Sequence, residues 1–171
     1  MTKATLDNTD KPLGYKYRWL ILAVMLAAEI MDLIDATIIN VGGPTLQKFL
    51  GTSEIELQWI IGGYTLALGS GLILGGRLGD RYGRRYMFLF GMIGFTAASL
   101  ACSMAQSTEM LITLRFAQGF LGAMLLPQGF GLLKAVFPPK ELGQAFGVFG
   151  PVFGLAAVSY THLTLPTIYS V

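Results

Sequence analysis

The sequence predicts an all-α integral membrane protein with four complete transmembrane helices and the start of a fifth. One observation is composition: of 171 residues, 53% are hydrophobic and 13% charged, far more apolar than a soluble domain. The second is distribution. Trp59 to Leu74 and Tyr86 to Cys102 carry no charge, and between them lies the dense charged stretch Gly75 to Arg85, GGRLGDRYGRR, as expected of a hairpin loop at one face of a bilayer. The third is what is missing. A net charge of +2, divided among loops, provides no nucleic-acid-binding surface. Cys102 is the only cysteine, so neither a disulfide framework nor a zinc site is expected. No nucleophile–base pair, metal cluster or phosphate loop marks an enzyme, and no cofactor is expected.

Residues 1 to 17 read as a polar tail. Arg18 to Val41 is the first span: about 24 residues at about 1.5 Å each give roughly 36 Å, enough for a hydrocarbon core of roughly 30 Å. Tyr15, Tyr17 and Trp19 anchor its start, and it is too long for a cleavable signal core, so it should stay as an anchor. Gly42-Gly43-Pro44 is expected to end this helix. A short link through Glu54 and Glu56 leads to the second span, near Glu56 to Gly76, with Trp59 at the opposite interface. The charged stretch then turns the chain. The third span runs near Tyr86 to Met104, and Ala105 to Ser107 form an outer turn. The fourth lies near Thr108 to Leu133, the next inner loop is Lys134 to Leu142, and the fifth starts near Gly143.

Orientation follows from the cations. Lys3, Lys11, Lys16 and Arg18 of the tail, Arg77, Arg81, Arg84 and Arg85 of the charged stretch, and Lys134 and Lys140 of the inner loop share one side, with Lys48 opposite. The positive-inside rule makes the amino terminus cytoplasmic. On the fifth span, Gly143, Gly147, Gly150 and Gly154 line one face as a packing groove, and Gly71 and Gly75 repeat the device more weakly on the second.

The first span holds three acids, Glu29, Asp32 and Asp35, each roughly 60° around the helix from the last. That face cannot point at lipid, because a buried carboxylate must be neutral, paired or bathed in a water-filled cavity. Such a group is suited to binding and releasing a proton, with burial favouring its neutral form and a nearby cation its charged form.

The charged stretch fits G-x-L-x-D-R-x-G-R-R through Gly76, Leu78, Asp80, Arg81, Gly83, Arg84 and Arg85. It resembles the signature loop between the second and third helices of the major facilitator superfamily. Physically, Gly76 suits close helix approach, Gly83 a sharp turn, and Asp80 a pair with Arg81 or Arg84 together with a cap on a helix start. Asp35 opens D-A-T-I-I-N-V-G-G-P, similar to the first-helix motif of the fourteen-helix drug:proton antiporter branch, with Gly42 and Gly43 in place of its usual Ala-Leu. Leu111, Arg115, Gln118 and Gly119 match the L-x-x-x-R-x-x-Q-G pattern, in which the arginine is linked to proton transfer. Arg115 then pairs with a first-helix carboxylate, or else snorkels to the outer interface. Gly147, Gly150, Pro151 and Gly154 imitate part of the branch's fifth-helix pattern.

Val158 to Val171, VSYTHLTLPTIYSV, resembles a translated transposon-based sequencing adapter and is expected to be non-native. The expected organisation is therefore a tail over 1–17, a partial transmembrane half over 18–157 and a foreign end over 158–171. The resemblance implies an amino-terminal fragment of a proton-coupled drug exporter in the cell membrane. Its partners would be a small-molecule substrate, protons, the lipid bilayer and the missing C-terminal helices, in two halves that rock against each other. Asp35, Asp32 and Arg115 would couple protons, and the fragment alone would not transport. A solute symporter or a non-transporting membrane remnant are the alternatives.

Overall fold

A computed structural model describes residues 15–148 with Gly150, Pro151 and Gly154; the expected foreign end and most of the tail lie outside the described residues. A 3-10 turn, Tyr15–Tyr17, leads into α1 (Arg18–Leu50), α2 (Glu54–Tyr82), α3 (Arg84–Ser103), α4 (Thr108–Gly122) and α5 (Leu125–Val136), and residues 139–148 are again helical. Glu54–Tyr82, Arg84–Ser103 and the combined Thr108–Val136 are long and apolar enough to cross a membrane. With 33 residues, α1 is also long enough, but Glu29, Asp32 and Asp35 interrupt its hydropathy. Its exposed stripe, Ile30, Ile34, Ile38 and Val41, is free of charge and suits lipid.

Four boundaries differ from expectation, each for a local reason. Helix α1 does not end at Gly42-Gly43-Pro44 but runs through them to Leu50. Pro44 removes a single backbone hydrogen bond, and Leu57 of α2 packs into the space that Gly43 leaves, 3.2 Å from where a Cβ would stand. The true stop is Gly51, in the left-handed region at φ 66°, its N–H bonded to the Gln47 carbonyl, the usual αL helix end. Helix α2 then starts on a capping box: the Ser53 hydroxyl accepts from the Glu56 N–H at 3.3 Å and the Glu56 carboxylate accepts from the Ser53 N–H at 2.8 Å, satisfying two otherwise orphaned donors.

The second difference is the charged stretch, which is helix rather than loop. Helix α2 continues through it to Tyr82, and Gly83 alone, at φ 95°, forms the turn. Third, the expected single fourth span is broken at Ala123–Met124, between α4 and α5. Pro127 has no N–H for the Ala123 carbonyl, four residues back, and its ring would clash with it in a continuous helix. The carbonyl turns instead toward α2, 2.7 Å from where a Gly75 side chain would begin. Fourth, the helix expected near Gly143 starts at 139, since Pro139 suits a first helical position and the Pro138 carbonyl accepts from Glu141 and Leu142 at 2.9 and 3.1 Å.

Helices α2 and α4 pack backbone to backbone. A side chain on Gly71 would meet the Ala123 Cβ at 2.7 Å, and one on Gly63 the Phe116 ring at 2.5 Å. A Cβ on Gly119 would collide with the Tyr64 carbonyl, and one on Gly79 with the Gln128 amide. The Gly71 and Gly75 stripe of α2 is thus a tight packing seam. Gly143, Gly147, Gly150 and Gly154 have no described atom within 4 Å of a would-be Cβ. Gly76 is also corrected: its nearest neighbour is Pro127 at an ordinary 3.8 Å, and the close approach belongs to Gly75. Beside this seam, Leu22, Met25 and Ala28 of α1 join Phe88 of α3 and Leu125, Leu133 and Val136 of α5 in one core.

Gly119→Val should push α2 and α4 apart at a point where neither can yield except by moving backbone. Overpacking of this kind costs about 1–3 kcal/mol, read as a lowered unfolding midpoint in mixed micelles. An unchanged midpoint would mean that the two helices are not in contact at Gly119.

Candidate functional site

Asp35 faces inward from the middle of α1, and Arg115 and Gln118, three apart and hence on one face of α4, meet it. The Arg115 guanidinium Nη1 donates to Asp35 Oδ2 at 2.5 Å and to Gln118 Oε1 at 2.8 Å, while Gln118 Nε2 donates to Asp35 Oδ1 at 2.9 Å. The three side chains thus close a ring in which cation, anion and amide each use two partners. Ser99 and Cys102 of α3 approach from the third side, the first donating to Asp35 Oδ1 at 3.5 Å and the second to Gln118 Oε1 at 3.6 Å. Arg115 does not snorkel: its side chain is 2% exposed, against 14% for Asp35.

The α1 carboxylates divide by environment. Asp32 accepts a hydrogen bond from the Tyr64 hydroxyl, and the same ring lies 4.7 Å from the Arg115 guanidinium, in cation–π range. Tyr64 therefore links the Asp32 position to the Asp35 ring, and Gly119, pressed on the Tyr64 backbone, fixes where that ring lies. Glu29 is 4% exposed and makes no hydrogen bond or ion pair among the described residues. The structure does not join it to the cluster. A cavity of about 640 Å³ opens beside Asp35 and Arg115, with Ser99 and Cys102 on its polar side and Ile38, Leu46, Phe49 and Leu111 on its apolar side. The arrangement offers a buried ion pair next to a space large enough for an organic molecule.

At the other end of the helices, Asp80 pairs with Arg84 at 2.7 Å across the Gly83 turn. Asp80 lies inside α2 and does not cap α3, whose N-cap position is Gly83 and has no side-chain cap. Arg81 instead lies over its neighbour Tyr82, 5.5 Å from the ring centroid. The Arg84 guanidinium occupies the space over Gly131 of α5 that any side chain there would fill. Gln128 of α5 donates to the Gly75 carbonyl at 2.6 Å, with its amide seated over Gly79. The turn is thereby fastened to α5 from two directions. Sequence reasoning missed Tyr64, Gln128 and Gly131. Gln128 had a usable signal, since a lone amide in the apolar run LLPQGFGLL marks an interhelical hydrogen bond.

Residues 25–161 match the family described as Major Facilitator Superfamily. The chain is 56% identical over 147 residues to the "Probable actinorhodin transporter" of Streptomyces coelicolor, covering 86% of this chain and 25% of that protein. It is 43% identical over 138 residues to "Puromycin resistance protein pur8" of Streptomyces alboniger, covering 80% and 27%. With "Multidrug resistance protein 3" of Bacillus subtilis it shares 36% over 141 residues, covering 82% and 27%. The chain spans about a quarter of the length of these curated relatives.

Proposed function

The chain belongs to the Major Facilitator Superfamily, and on that premise we propose that it forms the amino-terminal part of a proton-coupled exporter of small organic molecules, drugs or antibiotics among them. The observation that carries this reading is the closed ring of Asp35, Arg115 and Gln118 beside a cavity. A proton arriving at Asp35 cancels its charge and loosens its hold on Arg115; release of the proton restores the pair. Two helices far apart in sequence are thus held or freed according to one proton, which is the coupling that alternating access requires. Tyr64 positions Asp32 near the same switch. The reading is tested in inside-out vesicles containing the full-length transporter that carries this segment: an imposed pH gradient should drive substrate uptake, and a protonophore should stop it. Uptake indifferent to the gradient would sink the proposal.

In this reading the membrane face bearing Lys16, Arg18, Arg77, Arg81, Arg84, Arg85, Lys134 and Lys140 is cytoplasmic. The other face holds Lys48 with Glu54, Glu56 and Glu109. In a Cys102→Ser background, a cysteine at Lys48 should react with an impermeant thiol reagent in intact cells and one at Tyr82 should not. The reverse pattern inverts the topology.

The Gly83 turn acts as a clasp on α5. Asp80→Asn should cut efflux several-fold while changing stability by less than about 1 kcal/mol, because an exposed pair contributes little to folding. Gly131→Leu, which evicts Arg84 without touching Asp80, should reproduce the defect, whereas Lys48→Gln should not. Efflux unchanged in both clasp variants at equal expression removes the clasp from the mechanism.

A further inference from the structure

A second cavity of about 640 Å³ lies between the first half of α1, the start of α3 and the end of α5, away from the Asp35 ring. Its walls are apolar, with Leu20, Val24, Phe88, Leu132 and Val136, and Arg85 is the only charged residue among the described residues that line it. Arg85 differs from the basic residues beside it. Arg84 is held by Asp80 and Arg81 lies over Tyr82, whereas Arg85 is exposed and makes no hydrogen bond or ion pair among the described residues. Lys16 stands at the same end, its ammonium 5.8 Å from the ring of Tyr17, which also lines the cavity.

An apolar trough ending in a guanidinium that no described acid pairs with fits a molecule with a hydrocarbon tail and an anionic head. We propose that the groove holds an acyl chain of an anionic diacyl phospholipid from the surrounding leaflet, with its phosphate on Arg85. Arginine's planar fork matches phosphate oxygens, and basic pockets between helices on one membrane side are suited to such headgroups. A choline headgroup carries its own cation and would bring it among Lys16, Arg84 and Arg85, so the charge balance selects a lipid with net negative charge. The site requires that the helices span the bilayer and that the rest of the transporter leaves this groove open to lipid, and it is independent of proton coupling.

The test uses the full-length transporter that carries this segment, in phosphatidylcholine vesicles containing a minor share of phosphatidylglycerol with a photoreactive acyl chain, and peptide mapping of the adducts. Adducts should fall on the Leu20–Val24, Phe88–Leu89 and Leu132–Val136 segments, and a matched phosphatidylcholine probe should label them less. Arg85→Gln should lower phosphatidylglycerol labelling about tenfold, the loss expected when one charge-assisted partner is removed. Arg85→Lys should keep most of it, Arg77→Gln all of it, and Ala135→Trp, which fills the groove, should abolish it. The proposal is overturned by equal labelling with the two probes, or by equal losses in Arg85→Gln and Arg77→Gln, which would indicate diffuse surface charge. It is also overturned if the groove segments crosslink to a second copy of the chain instead. If Arg85→Gln fails to insert, the Arg85→Lys and Ala135→Trp pair still decides.

Discussion

Asp35→Asn, in the full-length transporter carrying this segment, is expected to bring pH-gradient-driven uptake into inside-out vesicles down to the level of empty vesicles, with membrane insertion retained. The substitution keeps size and shape but removes the proposed proton site and the counterion of Arg115. It also conflicts with the ring's hydrogen bonding. Asp35 Oδ1 accepts from Gln118 and Ser99 and Oδ2 from Arg115, so an asparagine amide, whichever way it turns, sets a donor against donors. Asp32→Asn should do much less, because its partner Tyr64 is a hydroxyl donor that an asparagine oxygen can still satisfy. Losing a charge from a membrane helix favours insertion, whereas leaving the buried Arg115 without its counterion lowers the stability of the bundle, so uptake is compared at equal amounts of inserted protein. Substrate accumulation by the Asp35→Asn protein under an imposed gradient would refute the role assigned to this acid.

Arg115→Ala is expected to destabilise the bundle by about 3–5 kcal/mol, the usual consequence of removing one member of a buried pair and leaving the other uncompensated. The side chain is nearly inaccessible, and its loss also strips Tyr64 of its cation–π partner and Gln118 of a donor. Removing both charges in Asp35→Asn/Arg115→Gln should cost less than Arg115→Ala alone, since neither partner is then left charged. Equilibrium unfolding in mixed micelles, followed by the fluorescence of Trp19 and Trp59, measures both. A cost below about 1 kcal/mol for Arg115→Ala would mean that the ion pair is solvated.

The charges were the legible part of this chain. An arginine or aspartate within an apolar run has few places to go in a membrane, so the meeting of α1 and α4 could be anticipated from Asp35 and Arg115 alone. What stayed hidden depends on atoms from two segments at once. The break at Ala123–Met124 needs both Pro127, which releases a carbonyl, and Gly75, which makes room for it. Pro44 looked like a terminator because its effect was judged without the packing of α2 on Gly43, while the signals that do operate, Gly51 and the Ser53 to Glu56 box, lay a few residues downstream. Glycine spacing marks a possible contact, but the contact itself depends on the facing atoms, as Ala123 provides for Gly71 and Gly75.

The ring around Asp35 also sets a timetable for synthesis. Asp35 and Arg115 are separated by 80 residues, so α1 leaves the ribosome long before the cation that completes it. At roughly 5–20 residues per second, the interval is about 4–16 s, far longer than a helix needs to form. During that time the acidic face of α1 has neither Arg115 nor Gln118, and only its Ile30, Ile34 and Ile38 side is ready for lipid. Helix α1 is therefore made well before α4 but can settle only with it, its acidic face needing water or protein rather than lipid until Arg115 and Gln118 arrive.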